Sequence, residues 1–241
     1  QNKYRHMIEV LYYQQFDANL YSCNIVGNGW SVADESSSGK KHFFLEQMQK
    51  TIRGMINLTN QKKVLIDFSA GAGDYTFENS KFFDIVLHCD IDGNGLVSAK
   101  ARADILGITN IIFIRCDYLQ LPFAKDICDV ALLIDSLEYY GPVRDKKVIN
   151  NIYGILANKG LAAFDFHRKR PMKQNNVLFE YNKKDINSVC ESSAFKVTSL
   201  GDWVIGRISS FCFSNKMIYL IINSIKILPP VRSIRLMRKG L

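Results

Sequence analysis

Five short, nearly continuous apolar runs mark the middle of the chain. They are Lys63–Phe68 (KVLIDF), Phe83–Cys89, Asn110–Arg115, Cys128–Ile134 and Leu161–Phe166. Runs of this length, bounded by small or polar residues, predict strands buried on both faces. Gly95–Leu106 and Val143–Leu156 lie between them and read as helices. Strand–helix alternation predicts a parallel sheet covered on both sides, and right-handed crossovers make it doubly wound α/β. Upstream, Phe44, Leu45, Met48, Ile52, Met55 and Ile56 recur at helical spacing within Phe43–Leu58. Downstream, Lys183–Ser193 reads as a helix, and Phe195–Leu200 and Ser209–Phe213 as two closing strands. The expected sheet is seven-stranded and mostly parallel. Asn215–Leu228 follows as a helix stopped by Pro229-Pro230, then a basic tail. The organisation expected is a helical lid segment over 1–60, a ligand-binding domain over 61–215 and a helix with a tail over 216–241, in one compact unit.

Composition narrows the class. The 241 residues are 47% hydrophobic and 22% charged, which is globular usage and excludes disorder. The net charge of +8 invites an anionic partner, but it is unevenly placed. Residues 201–241 hold seven cations against the single acid Asp202, leaving the first 200 residues nearly neutral. No nucleic-acid module accompanies the basic end, so sequence-specific nucleic-acid binding is not expected. A peripheral contact with an anionic membrane through Met217–Leu228 and the tail is one reading, and a packed helix with a solvated tail is the other. A spanning helix needs about 20 apolar residues, and no run reaches that. The six cysteines show neither a CxxC spacing nor a zinc-like pairing with histidine. No metal is expected, and scattered free thiols with no signal-like segment favour the cytoplasm.

The candidate chemistry lies at the strand ends. In a doubly wound sheet, ligands bind beyond the carboxyl ends of the strands, beside the switch point. The first strand exits through Asp67-Phe68-Ser69-Ala70-Gly71-Ala72-Gly73-Asp74, whose small residues permit close backbone approach. As a dinucleotide fingerprint it is incomplete, because Thr76 stands where a third Gly or Ala is needed. Asp90 follows the second strand, where a carboxylate can accept from a ribose diol. Asp117 follows the third strand, where it can accept from the exocyclic amine of adenine. Three acids on one rim suggest a nucleoside that carries no phosphate.

In this the chain resembles the class I S-adenosylmethionine-dependent methyltransferases, over about 100 residues from Lys63 to Phe166. Val64–Gly73 is similar to the family's V-L-x-D-x-G-x-G-x-G, with Ser69 in place of the first glycine. Asp90-Ile91-Asp92 with Leu96 and Ala99-Lys100 follows the second-strand motif, and Asp117 with Leu121-Pro122-Phe123 the D…L-P-F motif. Asp129-Val130 stands at the start of strand four, with Cys128 in place of Phe. Leu137-Glu138-Tyr139 matches an L-E-H position, and Leu156–Gly160 resembles L-K-P-G-G with Lys159 in place of a glycine. The resemblance implies S-adenosyl-L-methionine as cofactor and a Rossmann-like fold. It places Asp67, Ala70, Gly71 and Gly73 at the methionine part, Asp90 at the ribose, and Ile91 against the adenine. Asp117 and Tyr118 would meet the adenine edge, and Asp135 the methionine amine or the substrate.

Methyl transfer from a sulfonium is an in-line displacement that depends chiefly on orientation, and an acidic nucleophile also needs a base. His167 and Tyr139 are the candidates on the catalytic side. His42 falls in the expected lid, and Tyr12, Tyr13, Phe16, Tyr21 and Trp30 are candidate pocket walls. His88, inside an apolar strand, reads as structural. The function expected is methyl transfer to an oxygen or nitrogen of a small-molecule acceptor. Two other readings stay open on the same sheet: an NAD(P)-dependent oxidoreductase and a non-catalytic binding module.

Overall fold

The structure is a computed structural model, and it describes residues 48–137, 141–167, 179–191, 196–203 and 232–240. Its strands are β1 (Val64–Phe68), β2 (Ile85–Asp90), β3 (Ile111–Arg115), β4 (Cys128–Leu133), β5 (Leu156–His167), β6 (Lys196–Trp203) and β7 (Arg232–Arg238). The helices are α1 (residues 48–56), α2 (Asp74–Ser80), α3 (Gly93–Ile105), α4 (Pro142–Ile155) and α5 (Lys183–Glu191). The strands form one sheet in the order β3-β2-β1-β4-β5-β7-β6. β1 to β5 pair in parallel, and β7 runs antiparallel to both β5 and β6. The expected mostly parallel, seven-stranded, doubly wound sheet is therefore present.

Alternation along each strand divides the core in two. Val64, Ile66 and Phe68 of β1 face one side, with Val148, Ile149 and Ile152 of α4 and Ile186 and Val189 of α5. Leu65 faces the other side, with Val130, Leu132 and Leu161, beneath Met48, Ile52, Met55 and Ile56 of α1. Those four α1 side chains are at most 1% exposed. The part of the expected lid segment that is described is thus a core layer fixed to the sheet. Residues 1–47, with His42 and the N-terminal aromatics, lie outside the described residues.

The carboxyl-terminal end differs from the expectation. Arg232–Arg238 is not a tail but a strand inserted between β5 and β6, so the sheet crosses the boundary drawn at residue 215. Ser209–Phe213, expected as the closing strand, lies outside the described residues. The physical reason is packing on both faces. Leu236 and Met237 point into opposite cores, and Arg235 is itself buried. Lys239 continues the strand's role. Its Nζ donates to the Leu156 carbonyl at 2.6 Å and to Asp126 at 2.8 Å, and it lies over the Tyr153 ring.

The β4–β5 ladder contains one irregularity, where Cys128 faces Leu156 but Val130 faces Leu161. Lys159 sits in this bulge with φ +64. A side chain on the next residue, Gly160, would come within 2.8 Å of the Ala157 carbonyl, so only glycine fits there.

Candidate cofactor site

The site forms where the strand order reverses, between β2 and β4 on either side of β1. The parallel registers bring the ends of β1, β2 and β4 level, since Phe68 faces Cys89 on one side and Leu133 on the other. The loop leaving β1 is tightly folded. Ser69, Gly71 and Gly73 have φ of +52, +51 and +86. The Ala70 N–H donates to the Cys89 carbonyl at 3.0 Å, and the Gly73 N–H donates to the Ala70 carbonyl at 2.8 Å. Gly73 starts α2, and a Cβ there would fall 2.5 Å from the Phe77 ring. That ring also meets the Arg102 guanidinium, 5.0 Å away, and Arg102 donates to the Ala72 carbonyl. α3 is thereby tied to the loop.

Asp90 is the centre of this arrangement. One carboxylate oxygen accepts the Gly71 N–H at 2.8 Å, and the other accepts the Asp92 N–H at 2.9 Å. Burial raises its pKa, partly offset by those amide hydrogen bonds. Each oxygen keeps a second lone pair, so a diol can still be received. Asp92 instead caps α3, accepting from the Asn94 and Gly95 amides.

Asp117 is buried, and one of its oxygens accepts the Leu119 N–H at 2.7 Å, closing a turn. Asn151 of α4 holds that turn from below, donating to the carbonyls of Tyr118 and Leu119 at 3.1 and 2.9 Å. The Ile91 carbonyl accepts from Arg115 Nε at 2.9 Å. Asp135, just past β4, is exposed and has φ +57. His167 ends β5 opposite Arg232 of β7, and Tyr139 lies outside the described residues.

Asp67, near the end of β1, lies beneath the loop expected to meet the methionine part. Its carboxylate is 1% exposed and lies under the loop, where it accepts from the Thr76 hydroxyl at 2.6 Å. Through Thr76 at the start of α2 it supports the loop from within. Asp129, which carries the motif at strand four, accepts the amides of Lys63 and Val64 at the opposite end of the strands and fixes the entry of β1.

Three supporting residues escape sequence reasoning. Thr76 registers there only as a missing small residue. Asn151 is a polar interruption between the apolar positions Val148, Ile149, Ile152 and Ile155, and that interruption is a usable signal. Tyr181, whose hydroxyl donates to the Leu137 carbonyl, gives none, because its partner is distant in sequence. Among the described residues, no group of three or more His, Cys, Asp or Glu is gathered as metal ligands. Cys89, Cys116, Cys128 and Cys190 are buried and outside any disulfide, and burial pushes Cys190 up to about 11. Among the described residues, no helix is long and apolar enough to cross a membrane.

Comparison with known proteins agrees with this geometry. Residues 66–164 match the methyltransferase domain family. A curated relative from Geobacillus sp. (strain WCH70), which carries a methyltransferase name, is 25% identical over 130 residues. That match covers 53% of this chain and 52% of the relative, so the chain spans about half the length of the curated protein it matches. An S-adenosylmethionine-dependent methyltransferase from Clostridium acetobutylicum superposes with a TM-score of 0.61 at 13% identity, covering 82% of this chain and 92% of that one. A magnesium protoporphyrin IX methyltransferase from Synechocystis, solved with bound SAM, gives a TM-score of 0.60 at 14% identity, covering 90% of this chain and 88% of that one. Residues 66–164 thus match the methyltransferase domain family, and the chain shares the Rossmann-like fold of these solved structures.

Proposed function

We propose that the chain is an S-adenosylmethionine-dependent methyltransferase that delivers a methyl group to an oxygen or nitrogen of a small-molecule acceptor. The observation that carries this reading is the hydrogen bond from the Gly71 N–H to Asp90. A pyrophosphate on this loop would need free amides and no anion beside them. Here the amide is already taken by a carboxylate, which suits a nucleoside whose ribose is clamped and which carries no phosphate. The same bond weighs against the nicotinamide alternative.

When bound, the cofactor supplies an electrophilic methyl group on a sulfonium. The chain's own residues bind and orient. Asp90 receives the ribose hydroxyls, Ile91 packs on the adenine, and Asp117 with Tyr118 meets its edge. Ala70, Gly71 and Gly73 let the backbone approach the methionine part, with Asp67 supporting them from below. Asp135 receives the amine. To His167 and Tyr139, the candidates of the sequence, we assign the task of taking a proton from the acceptor or walling its pocket. Of the cations expected at an anionic membrane, Arg235 is buried and Lys239 is bound to Asp126 and Leu156. Any such contact therefore rests on the remaining ones.

Calorimetry with S-adenosylhomocysteine tests the reading. Binding by the intact chain, weakened on the order of a hundredfold by Asp90→Ala through two lost charge-assisted hydrogen bonds, is the expected result. A folded sample that does not bind overturns it.

A further inference from the structure

The four residues that leave β4 are held from several sides. Ile134, Ser136 and Leu137 are buried, and Asp135 between them is exposed with φ +57. Side chains other than glycine rarely adopt that conformation, and they persist in it where the surroundings dictate it. The surroundings are explicit here. The Asp135 N–H donates to an Asp165 carboxylate oxygen at 2.8 Å, and Asp165, near the end of β5, is fully buried. The Ser136 hydroxyl donates to the Ile134 carbonyl at 2.9 Å. On the far side, the fully buried Tyr181 donates its hydroxyl to the Leu137 carbonyl at 2.9 Å. Its ring is held edge-on between Phe166 and Phe179, at 5.1 and 4.8 Å. Two residues that lie 30 and 44 positions beyond their backbone partners thus grip the chain on either side of one exposed carboxylate.

We propose that Asp165 and Tyr181 are positioning residues that hold Asp135 at the mouth of the site, where its carboxylate receives the ammonium of the donor's amino-acid end. The proposal rests on the methyl-donor reading and adds to it the two groups through which Asp135 acts. A buried carboxylate committed to a backbone amide, and a buried phenol committed to a backbone carbonyl, are costly ways to shape an ordinary loop. They are well suited to a carboxylate whose place must not drift.

The test compares two ligands by calorimetry. S-adenosylhomocysteine has the amino-acid end, and 5′-methylthioadenosine lacks it while keeping the nucleoside and sulfur. Asp135→Asn, Tyr181→Phe and Asp165→Ala should each weaken S-adenosylhomocysteine by about tenfold. They should leave 5′-methylthioadenosine within about twofold. Asp165→Asn keeps an oxygen that accepts the Asp135 N–H and should bind both ligands nearly as the unchanged chain does. Equal weakening of both ligands in Tyr181→Phe and Asp165→Ala would mean general loosening of the fold and overturn the proposal. So would unchanged affinity for both. A folded, unchanged chain that binds neither ligand removes the methyl-donor reading itself, an outcome distinct from the other two.

Discussion

Asp67 and His88 face each other across β1 and β2, and both bind the same hydroxyl, that of Thr76. The distances are 2.6 Å to the carboxylate and 2.8 Å to His88 Nδ1. A threonine hydroxyl has one proton to give. If it goes to the Asp67 carboxylate, His88 must donate from Nδ1, and Nε2 is left as a bare nitrogen. Nε2 is buried and, among the described residues, has no hydrogen-bond partner, so a second proton there would be a buried charge without a partner among them. Burial accordingly lowers His88 to about 4 and raises Asp67 to about 7. For Asp67 the Thr76 bond opposes the rise, and the charges of Asp90 and Asp74 add to it.

These shifts act on stability with opposite signs. Asp67 binds its proton more tightly in the folded chain, so its contribution is full below pH 3.8 and lost as the pH rises to about 7. His88 binds its proton less tightly when folded, so its contribution is full above pH 6.5 and lost as the pH falls towards 4. Between those limits the two largely oppose each other. Asp67→Asn should therefore make the chain lose stability more steeply on acidification than the unchanged chain. His88→Asn, whose amide can still donate to Thr76, should make it gain stability on acidification. Urea denaturation at several pH values reads both slopes, and parallel curves for all three chains would rule the shared-hydroxyl account out.

Thr76→Val isolates the hydroxyl at nearly constant volume. It leaves Asp67 and His88 both buried without their common partner, at a cost of about 2–4 kcal/mol. For a chain of this size that lowers the melting temperature by roughly 4–16 °C. A scanning calorimetry shift of less than a degree would show that neither side chain depends on Thr76.

Much of this arrangement was legible in the sequence, for identifiable reasons. Strands buried on both faces are written as plain apolar runs, so β1 to β5 stand out. The acids Asp90 and Asp117 announce themselves by following those runs. α2 does not, because its buried positions are Thr76, Asn79 and Ser80, which carry no apolar rhythm. The Asn79 side-chain nitrogen instead donates to Gln49 of α1 and the Tyr75 carbonyl. β7 is hidden by its arginines at 232, 235 and 238, which read as a solvated tail although Arg235 is buried in the sheet. That Asp67 supports the loop from beneath, and that Tyr181 reaches Leu137, depends on distant contacts that no local pattern encodes.

Two departures from the family's glycines sit where glycine is favoured. Ser69 and Lys159 have φ of +52 and +64, which costs a side-chain-bearing residue about 1–2 kcal/mol. Glycine would return about 0.5–1 kcal/mol of that through its greater freedom when unfolded. Ser69→Gly and Lys159→Gly should each stabilise the chain by about 0.5–1 kcal/mol. Lys159 is exposed and loses little packing, so its gain should be the cleaner one in chemical denaturation. Gly73→Ala should do the reverse, since the added carbon meets the Phe77 ring.

Asn151 offers a contrast with Tyr181. Its amide supports the turn that presents Asp117 and Tyr118, the part of the site assigned to adenine. Asn151→Ala should weaken S-adenosylhomocysteine and 5′-methylthioadenosine by the same factor, about threefold to tenfold, because both carry adenine. A loss confined to one of them would place the turn elsewhere in the site.

Lys239 decides between the two views of the basic end. Its side chain is only 17% exposed and meets an exposed Asp126, the Leu156 carbonyl and the Tyr153 ring. The ion pair alone would contribute little, because Asp126 is well solvated. The bond to the Leu156 carbonyl is the stronger term, since that residue is buried and Lys239→Met would leave its oxygen without this donor. Replacing the ammonium by a thioether of similar length keeps the stem's packing on Tyr153 and removes only the hydrogen bonds. The expected cost is about 1–2 kcal/mol, or roughly 2–8 °C in melting temperature. Binding to vesicles containing anionic lipid should be unaffected by the change. If Lys239→Met instead leaves stability intact and reduces vesicle binding, then the cation works at a surface outside the chain and not as the clamp that closes β7 onto the β5 bulge.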